Sequence, residues 1–94
     1  MAKVEDKYKE IKQMLESDRL VIGTERTMKL LKQGKLELVY LSSNCPDDIK
    51  TQVMHYSKMS QIETKELDIP NDDLGVLCRK PFMISMIGLL RNGN

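Results

Sequence analysis

From Val4 to Leu15 the apolar residues fall at Val4, Tyr8, Ile11, Met14 and Leu15, a spacing that places them on one face of an amphipathic helix. Lys and Glu fill the opposite face, and Ser17-Asp18 ends the helix. Leu20, Val21 and Ile22 then run consecutively, predicting a short buried strand that Gly23 breaks. Thr24 is a residue type that caps helices, and the spacing predicts a second helix from Thr24 to Lys32 with Met28, Leu30 and Leu31 inward. Gly34 stands where a left-handed residue would close it. Leu36 to Leu41 is nearly continuous in apolar residues and reads as a buried strand, stopped by Ser42-Ser43-Asn44.

The second half repeats the alternation. Pro46 with Asp47 and Asp48 behind it makes a good helix start, and Ile49, Val53, Tyr56 and Met59 carry an inward stripe to about Lys58. Gln61 to Glu66 alternates weakly and predicts a short strand, suited to an edge. Pro70-Asn71-Asp72-Asp73 opens a short fourth helix containing Leu74, Val76 and Leu77, which Arg79-Lys80-Pro81 breaks. Phe82 to Leu90 is the last apolar strand, and Arg91 to Asn94 a frayed polar tail.

Helices and strands in strict alternation predict a three-layer α/β/α sandwich around a mostly parallel sheet, in one domain over 1–94. Ligands of such sandwiches bind beyond the carboxyl ends of the strands. Gly23-Thr24, Ser42-Ser43-Asn44 and the turn after the third strand all fall there. The Arg79-Lys80-Pro81 loop precedes its strand, so it reaches the same edge only if the last strand runs opposite to its neighbours. At Gly23 a strand ends and a helix begins, exposing backbone N–H groups that attract anions such as phosphate; simple capping is the plainer alternative.

Composition narrows the function. Fifteen Lys and Arg against fourteen Asp and Glu leave a net charge of +1, so any nucleic-acid footprint is local rather than global. Two cysteines, Cys45 and Cys78, have no metal-ligand spacing, which makes a structural zinc site implausible; one disulfide or two reduced thiols both fit, the second more simply. A charged N-terminus and the lack of any long apolar run predict a soluble cytoplasmic chain with no membrane partner. His55, the single histidine, lies mid-helix away from the strand ends and lacks a nucleophile motif. Gly23 stands without the further glycines of a dinucleotide or phosphate loop, and Asp72-Asp73 reads as dipole complement rather than metal site. No catalytic residue, metal or small-molecule cofactor is expected. Glu25, Arg26, Lys29, Asn44, Arg79 and Lys80 remain as polar groups that the topology directs to one edge. Glu25 and Lys29 are also spaced for an ordinary helical ion pair.

The stretch Gly23-Thr-Glu-Arg-Thr-Met-Lys-Leu-Leu-Lys-Gln-Gly34, followed by Leu38-Val-Tyr-Leu-Ser-Ser-Asn-Cys-Pro46, resembles the large-subunit ribosomal protein family called L-thirty-e. His55-Tyr56 and Asp72-Asp-Leu-Gly75 extend the resemblance, which runs from about Tyr8 to Leu90. It implies the superfamily of L-seven-Ae, a four-stranded mixed sheet inside the α/β/α sandwich, and binding to a kink-turn in ribosomal RNA among neighbouring ribosomal proteins. The expected role is structural and non-enzymatic, with a non-ribosomal kink-turn protein of RNA modification or regulation as the alternative. By position, the resemblance implies that Gly23 and Thr24 approach the RNA backbone, Glu25 accepts from a guanine edge, Lys29 meets phosphate or guanine with Arg26 in support, and Asn44 bonds a base. Arg79, Lys80 and Phe82 would form the loop packed on an unstacked base, although Phe82 equally suits the first core position of the last strand. The L-seven-Ae branch has Asn-Glu where this chain has Glu25-Arg26, which argues against the small-nucleolar-RNA relatives.

Overall fold

A computed structural model describes residues 8–91. Four helices, α1 (Lys9–Leu15), α2 (Thr24–Lys32), α3 (Asp47–Ser60) and α4 (Asn71–Leu77), alternate with four strands, β1 (Leu20–Ile22), β2 (Leu36–Leu41), β3 (Glu63–Glu66) and β4 (Met86–Leu90). The Val4 end of the first predicted helix and the tail beyond Arg91 lie outside the described residues.

The strand order is β1-β4-β2-β3. β4 is antiparallel to both β1 and β2, while β2 and β3 are parallel. The mostly parallel sheet that alternation predicts is therefore wrong, and the mixed sheet implied by the resemblance is right. Three strands point one way, and β4 enters between β1 and β2 in the opposite sense. That insertion satisfies the condition for the Arg79–Pro81 loop: the start of β4 lies at the edge where β1, β2 and β3 end.

Each face of the sheet carries its own apolar layer. Leu38, Tyr40, Ile87 and Leu89 pack with Tyr8 and Ile11 of the α1 region and Leu74 and Cys78 of the α4 region. Val21, Val39, Leu41 and Met86 pack with Met28 and Leu31 of α2 and Val53 of α3. Full burial of residues such as Leu31 and Ile87 contributes roughly 1.5–3 kcal/mol each before the entropy of ordering them is counted. Leu36 and Leu38, two apart, nonetheless face opposite layers, because the register shifts between them where β2 pairs with β4. Arg19 ties that irregularity down: its Nη2 donates to the Leu90 carbonyl at 2.8 Å and lies 3.0 Å from Glu37.

Several sequence expectations shift. β3 is an edge strand as expected but begins at Glu63 rather than Gln61. Met59, assigned inward, is 69 % exposed, and Ser57 takes the buried place, sharing a hydrogen bond of 2.7 Å with Thr64. The last strand begins at Met86, not Phe82, because residues 80–84 turn back onto α4: the Lys80 N–H donates to the Gly75 carbonyl and the Ile84 N–H to that of Asn71. Phe82 is 56 % exposed and is no core residue.

Candidate nucleic-acid interface

At the edge where β1–β3 end, two crossings are pinned to the incoming β4. The Gly23 N–H donates to the Met86 carbonyl at 3.1 Å, and the Ser42 N–H to the Ser85 carbonyl at 2.9 Å. Gly23 itself is the N-cap of α2, with φ 114° and ψ 145°, a backbone conformation that a side chain would strain. A Cβ built there would meet nothing within 4 Å, so the crossing is open toward solvent. Thr24 does not cap the helix as its type suggests: it is the first helical residue, and no side chain caps α2. The leading N–H groups of α2, with the positive end of its dipole, thus open onto the edge.

They open into a cleft of about 730 Å³ lined by Leu20, Ile22, Gly23, Thr24, Glu25, Arg26, Lys80 and Phe82. Six of the nine expected site residues therefore share one cavity, with Leu20 and Ile22 adding apolar surface. Arg79 lies in an adjoining depression with Leu15, Ser17 and Cys78, and Lys80 lines both. Lys29 is exposed one turn along α2 and outside the cleft lining. The plain ion-pair alternative does not hold: the ion pairs of the described residues include Arg19–Glu37, Lys50–Glu66 and Lys65–Glu63, and Glu25 and Lys29 form none together.

Asn44 has a second occupation. Its Oδ1 accepts from the Asn71 N–H at 2.9 Å and from Ser42 Oγ at 3.1 Å, and its Nδ2 donates to Asn71 Oδ1 at 3.1 Å. Asn71 also accepts from the Ile84 N–H through its carbonyl. Asn71 therefore couples the loop after β2 to the loop before β4, while Asn44 itself lies outside the cleft lining. Sequence reading assigned Asn71 only to a helix start. Its pairing with Asn44, 27 residues away, depends on the mixed strand order and has no local signature.

Gly75 was also missed in this role. A Cβ there would stand 2.1 Å from the carbonyl oxygen of Phe82, so α4 must present a bare backbone for the Lys80–Met83 turn to sit on it. The turn leaves Phe82 and Met83 exposed, and Val76 of α4 is exposed as well. Nearby Cys78 is buried, and burial pushes its thiol up to about 11, far from the thiolate that nucleophilic chemistry needs. Cys45 is buried and shifted upward for the same reason; both thiols are free. His55 is exposed on α3 and meets the ring of Tyr56 edge-on at 5.2 Å, away from the cleft lining. Among the described residues no cluster of His, Cys, Asp and Glu is arranged to hold a metal, and no helix is long and apolar enough to cross a membrane.

An uncapped helix start, exposed cations and an exposed aromatic around one open cleft suit an extended polyanion with unstacked bases better than a small enclosed substrate. Comparison with known proteins agrees. The model of the family described as "Ribosomal protein L7Ae/L30e/S12e/Gadd45 family" matches residues 5–94. The large ribosomal subunit protein eL30 of Sulfolobus acidocaldarius is 42% identical over 84 residues, covering 89% of this chain and 81% of that protein. The eL30 protein of Sulfurisphaera tokodaii is 37% identical over 93 residues, 99% of this chain and 88% of its own. Among solved structures, a protein with unknown function from Bacillus halodurans C superposes with a TM-score of 0.74 at 25% identity, over 86% of this chain and 80% of that one. The Giardia lamblia 15.5kD RNA binding protein gives 0.69 at 16% identity, over 87% and 68%, a likeness of fold alone.

Proposed function

Because this chain belongs to the ribosomal protein L7Ae/L30e/S12e/Gadd45 family, we propose that it is a structural constituent of the large ribosomal subunit that holds a kink-turn of ribosomal RNA in its bent form. The observation that carries this reading is the uncapped start of α2 at Gly23, facing Lys80 and Phe82 across one cleft. A bent RNA backbone brings phosphates close to one another. The α2 N–H groups offset that repulsion at one point, and Arg26, Lys29, Arg79 and Lys80 do so around it. Glu25 accepts from a guanine edge, and Phe82 with Val76 and Met83 covers the face of a base turned out of the stack. Asn44 retains a second amide N–H for a base acceptor while its carbonyl holds Asn71.

The protein needs no cofactor or catalytic group for this role, and it works in the cytoplasm, in contact with neighbouring ribosomal proteins. The ribosomal reading is preferred to a free-standing kink-turn protein because relatives of 37–42% identity that span most of the chain are named as large-subunit proteins. Titration of a kink-turn RNA with two variants tests the site. Lys29→Ala should weaken binding by about 1 kcal/mol or more, and His55→Ala should leave it unchanged. Identical affinities for the two variants would refute the residue assignment.

A further inference from the structure

The helices α2 and α3 pack side by side over one face of the sheet, and their charges are segregated. Residues 26–36 include Arg26, Lys29, Lys32 and Lys35 and no acid; residues 49–62 include Lys50 and Lys58 and no acid. The acids of the two helices are confined to their first turns, Glu25 in α2 and Asp47 and Asp48 in α3, and residues 63–73 hold Glu63, Glu66, Asp68, Asp72 and Asp73 against one lysine. A net charge of +1 thus conceals acid-free stretches beyond those first turns. A lysine in the last turn of each helix complements the dipole there, which accounts for Lys29, Lys32 and Lys58 singly. It does not account for the absence of acid from everything beyond the first turns of both helices.

The basic residues also continue the cleft. Arg26 lines it, and Lys29 and Lys32 follow at intervals of three along α2, carrying positive charge about 9 Å further along the helix axis. At the far end the Lys32 ammonium lies over the Tyr56 ring, 5.6 Å from its centroid, which carries the charge across to α3. On α3, Lys58 and Met59 are exposed. Among the described residues, neither Lys32 nor Lys58 is in an ion pair.

We propose that the outer face of the α2/α3 layer is a second RNA-contact surface, on which Lys32 and Lys58 receive the phosphate backbone of a duplex stem flanking the bend held in the cleft. The proposal rests on the kink-turn reading of the cleft and adds a partner surface to it. RNA is the occupant because the face offers cations without acids in a row leading out of an RNA site, and a duplex backbone is the polyanion that runs out of a bend.

The test compares the wild-type chain with the double variant Lys32→Glu, Lys58→Glu on two RNAs, a kink-turn with minimal stems and the same kink-turn with one stem lengthened by about a helical turn. On the long RNA the double variant should bind about tenfold more weakly at low salt, and the slope of log affinity against log salt should fall by about two. On the short RNA the two proteins should bind alike. The neutral pair Lys32→Gln, Lys58→Gln should move the long RNA in the same direction by less, with the thermal midpoint of the free protein unchanged. Equal affinity of wild type and variant for the long RNA would overturn the proposal, as would an equal loss on both RNAs. Unchanged RNA binding with loss of the variant from assembled large subunits would assign the face to a protein and overturn it too. Failure of the cleft reading shows separately, as wild-type protein binding the short kinked RNA no better than a Watson–Crick-paired control; that outcome removes both.

Discussion

Three helices of this chain close on a residue in the left-handed region: α2 on Gly34 at φ 70°, α3 on Gln61 at φ 56°, and α4 at Arg79 with φ 61°. The hydrogen bonds are those of a left-handed helix stop. The Lys35 N–H reaches the Leu30 carbonyl, the Ile62 N–H that of Ser57, and the Lys80 N–H that of Gly75. Glycine holds this conformation without steric cost; glutamine and arginine do not. Replacing Gln61 or Arg79 by Gly should therefore raise the unfolding free energy by about 0.5–1 kcal/mol each, read by urea denaturation. The two should part in function. Gln61→Gly should leave RNA affinity alone, while Arg79→Gly should lower it, because the proposed interface loses a cation that adjoins the cleft. A destabilised Arg79→Gly protein, or equal RNA affinity for both variants, would contradict this.

At the scale of elements, the segment from α4 to β4 decides whether the site exists. Its turn rests on the bare backbone of Gly75, and Asn71 fastens it to the loop after β2. Gly75→Ala should cost about 1–3 kcal/mol of stability and push the Lys80–Met83 turn outward, with RNA affinity falling more than stability alone explains. Val76→Ala, one residue on but exposed, should change stability little, and calorimetry beside RNA titration separates the two. This segment also marks how far the sequence could be read. The order of elements, the Gly34 stop and the meeting of Gly23–Arg26 with Lys80 and Phe82 were legible, because periodicity, turn chemistry and a family pattern all act locally or in register. The antiparallel β4 was legible only through the family resemblance, which implies a mixed sheet; periodicity alone pointed to a mostly parallel one, since nothing local distinguishes a strand inserted between two others from one added at an edge. Phe82 was misread in one of its two readings because an apolar run does not reveal where hydrogen bonding to the sheet begins. Asn71 was missed because its partner is distant in sequence.

Across the whole molecule, the two apolar layers and the division of charge point the same way. Beyond their first turns, the helices α2 and α3 carry basic residues and no acids, whereas residues 63–73 of the β3–α4 stretch carry five acids and one lysine. The cleft sits at one end of the sheet, where three strands finish and β4 begins. A nearly neutral chain of this size is thereby suited to hold one shape of RNA through a small number of contacts, rather than any RNA through its overall charge. The most direct measurement is a titration at moderate salt of a kink-turn RNA, against a control in which its tandem G·A pairs are replaced by Watson–Crick pairs. The kinked RNA should bind at least about a hundredfold more tightly than the straight control. Equal affinity for the two would contradict the account.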